Sequence, residues 1–211
     1  ARSYVSRAPG GRLIEWPVTW YARGGEWAMS PAYDSPDHPG FSREISYRFF
    51  FCHNAYPRID STSGLDDDGA VFPADLPEGI DCQRCHGPGA AHAAARRGGS
   101  AHPGDIVNPK HLGPERRAEI CVQCHLETTS RSLPALLKRS GRGVFSYVPG
   151  QPMADYLLHF DKPGGNPDFE LVSAVYRLRQ SACFQASRGK LECTTCHDPH
   201  HRSEEHTSEL Q

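Results

Sequence analysis

Three pentapeptides of this chain combine thiols and an imidazole at a fixed spacing, with two cysteines three positions apart and a histidine directly after the second. They begin at Cys82, Cys121 and Cys193. At this spacing two thiols can add to the two vinyl groups of one haem while the adjacent histidine coordinates its iron. The chain has only 12 histidines in 211 residues, so three chance coincidences are improbable. We therefore expect three covalent haem c groups, held by Cys82, Cys85 and His86, by Cys121, Cys124 and His125, and by Cys193, Cys196 and His197.

A fourth site is incomplete, because Cys52 and His53 are preceded by Phe49 where the first cysteine of the motif would stand. We expect a fourth haem there, tethered by one thioether through Cys52, with His53 on the iron and the phenylalanines at 49–51 against the porphyrin. The alternatives are a degenerate, empty site and an error in the sequence. The eighth cysteine, Cys183, has no histidine after it, and we expect a structural thiol near a haem.

A second imidazole on each iron would close it to small molecules and favour electron transfer. Beyond the four proximal histidines, His92 is the first candidate distal ligand, because the turn at 87–89 can send the next helix back over a neighbouring haem. His200 is the second, because Pro199 fixes a turn before it. His38 and His159 follow.

The paired cysteines have two other possible uses. Cys82, Cys85, Cys121 and Cys124 supply the four thiolates of a structural zinc site, and a single Cys-x-x-Cys is also the motif of a dithiol redox centre. The first leaves the third pair unused and the second does not explain the histidines, so haem is the favoured interpretation.

The composition limits the class of protein. Only 37% of the residues are hydrophobic, and 20 Gly and 18 Pro interrupt regular structure, so a large core made of side chains alone is not expected. The apolar faces of bound haems would supply part of it. The net charge of −2 gives no basis for nucleic-acid binding. No apolar run approaches the roughly 18 residues of a membrane span.

Short elements are expected to position the motifs. Helices are predicted at 80–86, at 90–97, where Gly98 and Gly99 stop the helix, and at 114–125, which begins with Pro114 and Glu115. Residues 169–187 have helical apolar spacing. The predicted fold class is mainly α with much irregular structure, a multihaem cytochrome c fold with short haem-binding helices and a small N-terminal β element.

The β element is a predicted hairpin of residues 3–7 and 12–21. Pro17 lacks an N–H, so its run is expected to be an edge strand or to contain a bulge. Residues 143–148 are a possible further strand. The three tryptophans, Trp16, Trp20 and Trp27, are expected to be packing residues of a small core.

Two segments carry a resemblance to a known family. Gly79–His92, with Cys-x-x-Cys-His-Gly-Pro-Gly-x-x-His, and Leu191–His200, with Cys-Thr-Thr-Cys-His-Asp-Pro-His, resemble the multihaem c-type cytochromes with doubled motifs. The nearest subgroup is related to the tetrahaem cytochrome that accepts electrons from hydroxylamine oxidoreductase. The resemblance covers residues 1–201 as one module. Residues 202–211 look like translated adaptor DNA and are set aside.

The resemblance implies a complete motif where Phe49 stands, further sequence on both sides of this fragment, and a tetratricopeptide-repeat region downstream. The expected function is electron transfer through mostly bis-histidine haems between redox partner proteins, in the periplasm or elsewhere outside the cytoplasm, where haem-attachment machinery acts. The alternative is a multihaem oxidoreductase with one open haem that acts on a small nitrogen or sulfur compound. Paired arginines at 96/97, 116/117 and 139/142 would attract an anion or balance haem propionates.

Overall fold

The computed structural model describes residues 2–59, 69–99, 106–125, 136–159 and 174–200, and the statements below concern these ranges. They divide into two compact units. The first contains the described residues of 2–80 with 143–145 and 198–200, and the second those of 81–142 with 146–197. None of the described helices has the length and apolar character needed to cross a membrane.

The first unit begins with a three-stranded antiparallel sheet of β1 (Arg2–Arg7), β2 (Leu13–Tyr21) and β3 (Glu26–Met29), in the order β1-β2-β3. The hairpin is confirmed, but β2 is the central strand, so an edge position for Pro17 is wrong. The predicted bulge is present instead. The register shifts between Ser3↔Thr19 and Val5↔Glu15, which leaves Pro17 out of the ladder where its missing N–H costs nothing.

The outer face of this sheet is more aromatic than expected. Trp27 is 58% exposed and Trp16 40% exposed, so packing in a buried core is the wrong prediction for these two side chains. Their rings instead contact other surface rings, with Tyr4 lying 5.4 Å from Trp27 and 6.5 Å from Trp16 between ring centroids. Alternation along β2 places Leu13, Glu15 and Thr19 on the buried face.

The core of the first unit lies on the helix α1 (Tyr47–His53), which begins where the Ser46 hydroxyl accepts a hydrogen bond from the N–H of Phe49. Phe72 is its centre, with ring centroids 5.1 Å from Tyr47 and 4.9 Å from Phe50. The Tyr47 hydroxyl also donates to the carbonyl of Val71 at 2.6 Å. The core is therefore mainly aromatic.

The second unit carries the complete cysteine motifs on short helices. Its described helices are α2 (Gln83–His86), α3 (Ala90–Arg97), α4 (Pro114–His125), α5 (Ala174–Gln180), α6 (Ala182–Ala186) and α7 (Cys193–Cys196). The predicted bounds of α3 and α4 are confirmed. The run at 169–187 contains α5 and α6, and its first five residues lie outside the described part.

A small two-stranded sheet pairs β4 (Leu136–Lys138) with β5 (Leu157–His159). The strand predicted at 143–148 is absent, because these described residues form turns and extended loop. Their aromatic side chains explain the apolar pattern. Phe145 packs on the core of the first unit, whereas Tyr147 belongs to a separate cluster of the second unit with Met153 and Tyr156.

The aromatic core predicts that two phenylalanines of the first unit contribute very differently to the free energy of unfolding. Phe72→Ala removes a ring that is 3% exposed and should lower the free energy of unfolding by about 3–5 kcal/mol. Phe41 is 67% exposed, so Phe41→Ala should change it by less than about 0.5 kcal/mol. Urea denaturation followed by tryptophan fluorescence measures both, since all three tryptophans lie in this unit. Equal effects would contradict this description of the core.

Candidate haem-attachment sites

The first motif is held in a single helical turn by its flanking residues. The Asp81 carboxylate accepts hydrogen bonds from the backbone N–H and the side-chain amide of Gln83, both at 3.1 Å, which fixes the start of α2. Gly87 ends the helix with φ of 74°, a backbone angle that favours glycine. Cys82 is exposed and Cys85 is half-buried. Burial, with a smaller effect of the neighbouring Cys82, raises the pKa of Cys85.

His86, the residue after the second cysteine, is oriented by a reciprocal backbone contact. Its Nδ1 lies 2.7 Å from the carbonyl oxygen of Val107, and the N–H of Val107 donates to the carbonyl of His86 at 3.0 Å. A carbonyl can only accept, so Nδ1 carries the proton and Nε2 carries the lone pair. An imidazole held through Nδ1–H to a backbone carbonyl is the usual arrangement of a metal-ligating histidine.

The second motif occupies the last turns of α4, and one residue between its cysteines contacts the first motif. The side-chain amide of Gln123 donates to the carbonyl of Arg84 at 2.8 Å and to that of Ile120 at 2.7 Å. Arg84 is the corresponding residue between Cys82 and Cys85. Both side chains are buried, with 5% of Gln123 and 2% of Arg84 exposed, so the two motifs pack directly on each other.

The third motif is joined to α4 by its N-cap residue. Glu192 forms a capping box with Thr195, in which each side chain accepts from the other residue's backbone N–H, and α7 starts there. The Glu192 carboxylate also pairs with the Arg117 guanidinium on α4 at 3.0 Å. One carboxylate therefore both nucleates the attachment turn and ties it to the helix that carries the second motif.

Thiols of the second and third motifs interact. A hydrogen bond with Cys193, assisted by burial, raises the pKa of Cys121, and the nearby Cys85 raises it further. The same hydrogen bond lowers the pKa of Cys193 to about 6. The two attachment residues are direct neighbours in the fold.

A cavity of about 250 Å³ opens beside these two cysteines. It is lined by side chains of α4, α5 and α7, and by Phe184 and Leu191. Its apolar lining suits the face of a porphyrin. The volume lies just below the ~300–1,000 Å³ of typical ligand pockets, so a planar group of haem size would be only partly enclosed.

The donor chemistry of these residues fits haem c. Each complete motif provides two thiols one helical turn apart with an imidazole next to them, and His86 presents Nε2 as its coordinating nitrogen. Among the described residues, the buried polar atoms without a hydrogen-bond partner include His92 Nδ1 and Gln123 Oε1 of the second unit. Within the same ranges, no group of three or more His, Cys, Asp or Glu side chains is arranged to hold a single metal ion.

The incomplete site lies in the first unit, at the end of α1. Cys52 is half-buried, and the Phe49 ring stacks on the imidazole of His53 with a centroid distance of 4.5 Å and an interplanar angle of 29°. Phe50 and Phe51 are each only 4% exposed and pack on Phe72 and Phe145. The expectation that all three phenylalanines face a porphyrin is therefore wrong for these two, which belong to the protein core.

The candidate distal histidines occupy different environments. His92 is half-buried on α3, and His159 is half-buried on β5. His200 lies in an exposed turn, where its N–H donates to the Asp198 carboxylate. His38 Nδ1 accepts from the N–H of Gly40 at 3.0 Å, so its neutral ring carries the proton on Nε2. This tautomer is opposite to that of His86 and does not offer Nε2 to an iron.

The structure also corrects the expectations for the paired arginines and for Cys183. Arg116 pairs with Glu119, and Arg117 pairs with Glu192, so these arginines have protein carboxylates as partners. Arg142 lies over the ring of Tyr156 at 4.5 Å. Cys183 is exposed on α6, so it does not pack as a buried structural thiol. Residues 201–211 lie outside the described part.

Three residues of the site were not predicted from the sequence, namely Val107, Gln123 and Glu192, and for Arg117 the partner Glu192 was not predicted. Glu192 did have a local signal, since an acidic residue three positions before Thr195 matches one half of a capping box. Val107 acts through its backbone, which no residue type encodes. The contacts of Gln123 and Arg117 are long-range, and nothing in the spacing of the motifs indicates them.

Comparisons with known proteins gave one similar structure. No family model and no curated protein matches the chain. The chain is similar to the crystal structure of an outer cell wall cytochrome, OcwA, with 22% sequence identity and a TM-score of 0.46 over 75% of this chain. The match spans 30% of the length of that cytochrome.

Proposed function

We propose that this chain is a multihaem c-type cytochrome module that carries electrons. Three haems would be attached in the second unit, by Cys82, Cys85 and His86, by Cys121, Cys124 and His125, and by Cys193, Cys196 and His197, and a fourth in the first unit by Cys52 and His53. When bound, haem iron cycles between the ferrous and ferric states and so accepts and donates single electrons.

The observation that carries the proposal is the hydrogen bond of 2.7 Å between His86 Nδ1 and the Val107 carbonyl. It gives the histidine of a Cys-x-x-Cys-His motif the tautomer and ring orientation of an iron ligand. A histidine that merely filled space beside a redox-active dithiol would have no need for this arrangement.

The chain's own residues would perform three tasks. The paired thiols would fix the position of each porphyrin, and the adjacent imidazole would be one axial ligand. The imidazoles of His92, His200 and His159 remain candidates for the other axial position, whereas the His38 tautomer does not favour that role. Covalent attachment of this type is carried out outside the cytoplasm, so we also propose an extracytoplasmic, periplasmic-type location and redox proteins as partners. A relationship to the acceptor of electrons from hydroxylamine oxidoreductase, and a downstream tetratricopeptide-repeat region, belong to the same proposal.

Intact-mass analysis tests the attachment. Protein made in a host with haem-attachment machinery should retain four covalent haems after denaturation. Cys82→Ala with Cys85→Ala should remove one, because the first motif then has no thiol. Cys183→Ala is the matched control and should retain all four, since no histidine follows this cysteine. A chain whose mass shows no haem would contradict the proposed function.

The incomplete site makes a separate prediction. Cys52→Ala should reduce the number of covalent haems by one, because Cys52 is the only thiol available at that site. Phe49→Cys should leave the number unchanged but convert the second vinyl group to a thioether, which shifts the α band of the reduced pyridine haemochrome to shorter wavelength. If Cys52→Ala retains the full number of haems, the fourth attachment is wrong and the other three are unaffected.

We favour His92 as a distal ligand. Its Nδ1 is buried without a partner among the described residues, and an unsatisfied buried nitrogen is costly. His92→Ala should produce a high-spin ferric signal in the electron paramagnetic resonance (EPR) spectrum while the covalent haem count stays the same. His111 is exposed, so His111→Ala should leave the spectrum unchanged. Identical spectra for both variants would exclude His92 as a ligand.

A further inference from the structure

The contacts of α4 relate the three complete motifs to one another. We propose that the haem attached at Cys121 and Cys124 is the direct neighbour of both other haems in the second unit, so that it links them for electron exchange. This inference rests on the proposed function and adds to it the connectivity of three specific sites.

The contact between the first and second motifs is made by the residues between their cysteines. Gln123 donates to the backbone carbonyl of Arg84 at 2.8 Å, and both residues are buried. Each of them directly precedes the second cysteine of its own motif in the sequence. The contact therefore joins a buried side chain of α4 directly to the main chain of α2.

The contact between the second and third motifs is made by an ion pair and by the cysteines themselves. Arg117 and Glu192 join α4 to the N-cap of α7 at 3.0 Å. Cys121 and Cys193 line the same cavity of the second unit. Haems attached to these two thiols would therefore lie close together at the edges that carry the thioether bonds.

The helix α4 explains why one motif can contact the two others. Gln123 and Cys121 are two residues apart, so they point about 200° apart around the helix axis. Gln123 contacts the first motif, and Cys121 lines a cavity with Cys193 of the third. Arg117 is one turn before Cys121 and lies on the same side.

The test uses variants that each retain two of these haems, in a Cys52→Ala background that removes the site of the first unit. Neighbouring low-spin ferric irons couple magnetically and broaden each other's EPR signals. Cys82→Ala with Cys85→Ala leaves the second and third sites, and Cys193→Ala with Cys196→Ala leaves the first and second. Both proteins should show spectra broader than the sum of the corresponding single-haem spectra. If either spectrum equals that sum, the proposal is overturned.

Intact mass, measured on the same samples, separates this result from the proposed function. Two covalent haems without coupling would contradict the connectivity and leave the cytochrome assignment intact. Absence of covalent haem from the parent protein would contradict the cytochrome assignment itself.

A second measurement keeps every cysteine and histidine in place. Arg117→Glu puts two carboxylates opposite each other and should weaken the coupling between the second and third sites without changing the haem count. The double variant with Glu192→Arg restores opposite charges and should restore the coupling. Arg116 pairs with glutamates of its own helix, so Arg116→Glu is the matched control and should leave the coupling unchanged. Equal spectra for the Arg117 and Arg116 variants would overturn the proposed contact.

Discussion

A helical turn of four residues is not stable by itself, and this constraint governs the second unit. Helix nucleation is unfavourable by a factor of ~10⁻³, yet both α2 and α7 consist of four residues and must hold two cysteines in register. Each is stabilised from outside. Asp81 and Glu192 cap the turns, and α4 holds them through Gln123 and Arg117. The longest described helix of the unit thus serves as the support for the two short ones.

The packing around these helices is poor in apolar side chains. No residue of α3, α6 or α7 is buried, and the buried residues of α2 and α4 are Arg84, Ile120 and Gln123. A buried guanidinium and a buried amide are rare choices for a protein interior. This composition agrees with our proposal that bound planar groups supply much of the apolar contact that helices of a small domain usually make with each other.

Local signals in the sequence were sufficient to predict the bounds of helices that begin with proline or end at glycine. The helix at Pro114–His125 has proline in its first turn, and the helix at Ala90–Arg97 is followed by two glycines, so both bounds were predictable. The bulge at Pro17 followed from its missing N–H. Burial of aromatic side chains was less predictable. Trp16 and Trp27 are exposed, whereas Phe50 and Phe51 are buried in the core of the first unit. Which aromatic residues face the core depends on pairing partners distant in sequence. The same holds for Gln123 and Arg117, whose contacts relate the motifs to one another.

The central claim is that the three motifs and Cys52 bind iron as covalent haem, and metal analysis of the denatured chain tests it most directly. Protein from a host with haem-attachment machinery would be unfolded in denaturant, separated from small molecules, and analysed for iron and zinc. Our account predicts four iron atoms per chain that remain bound after this treatment, and no stoichiometric zinc. Loss of the iron on denaturation, or zinc bound to the native protein in its place, would contradict it.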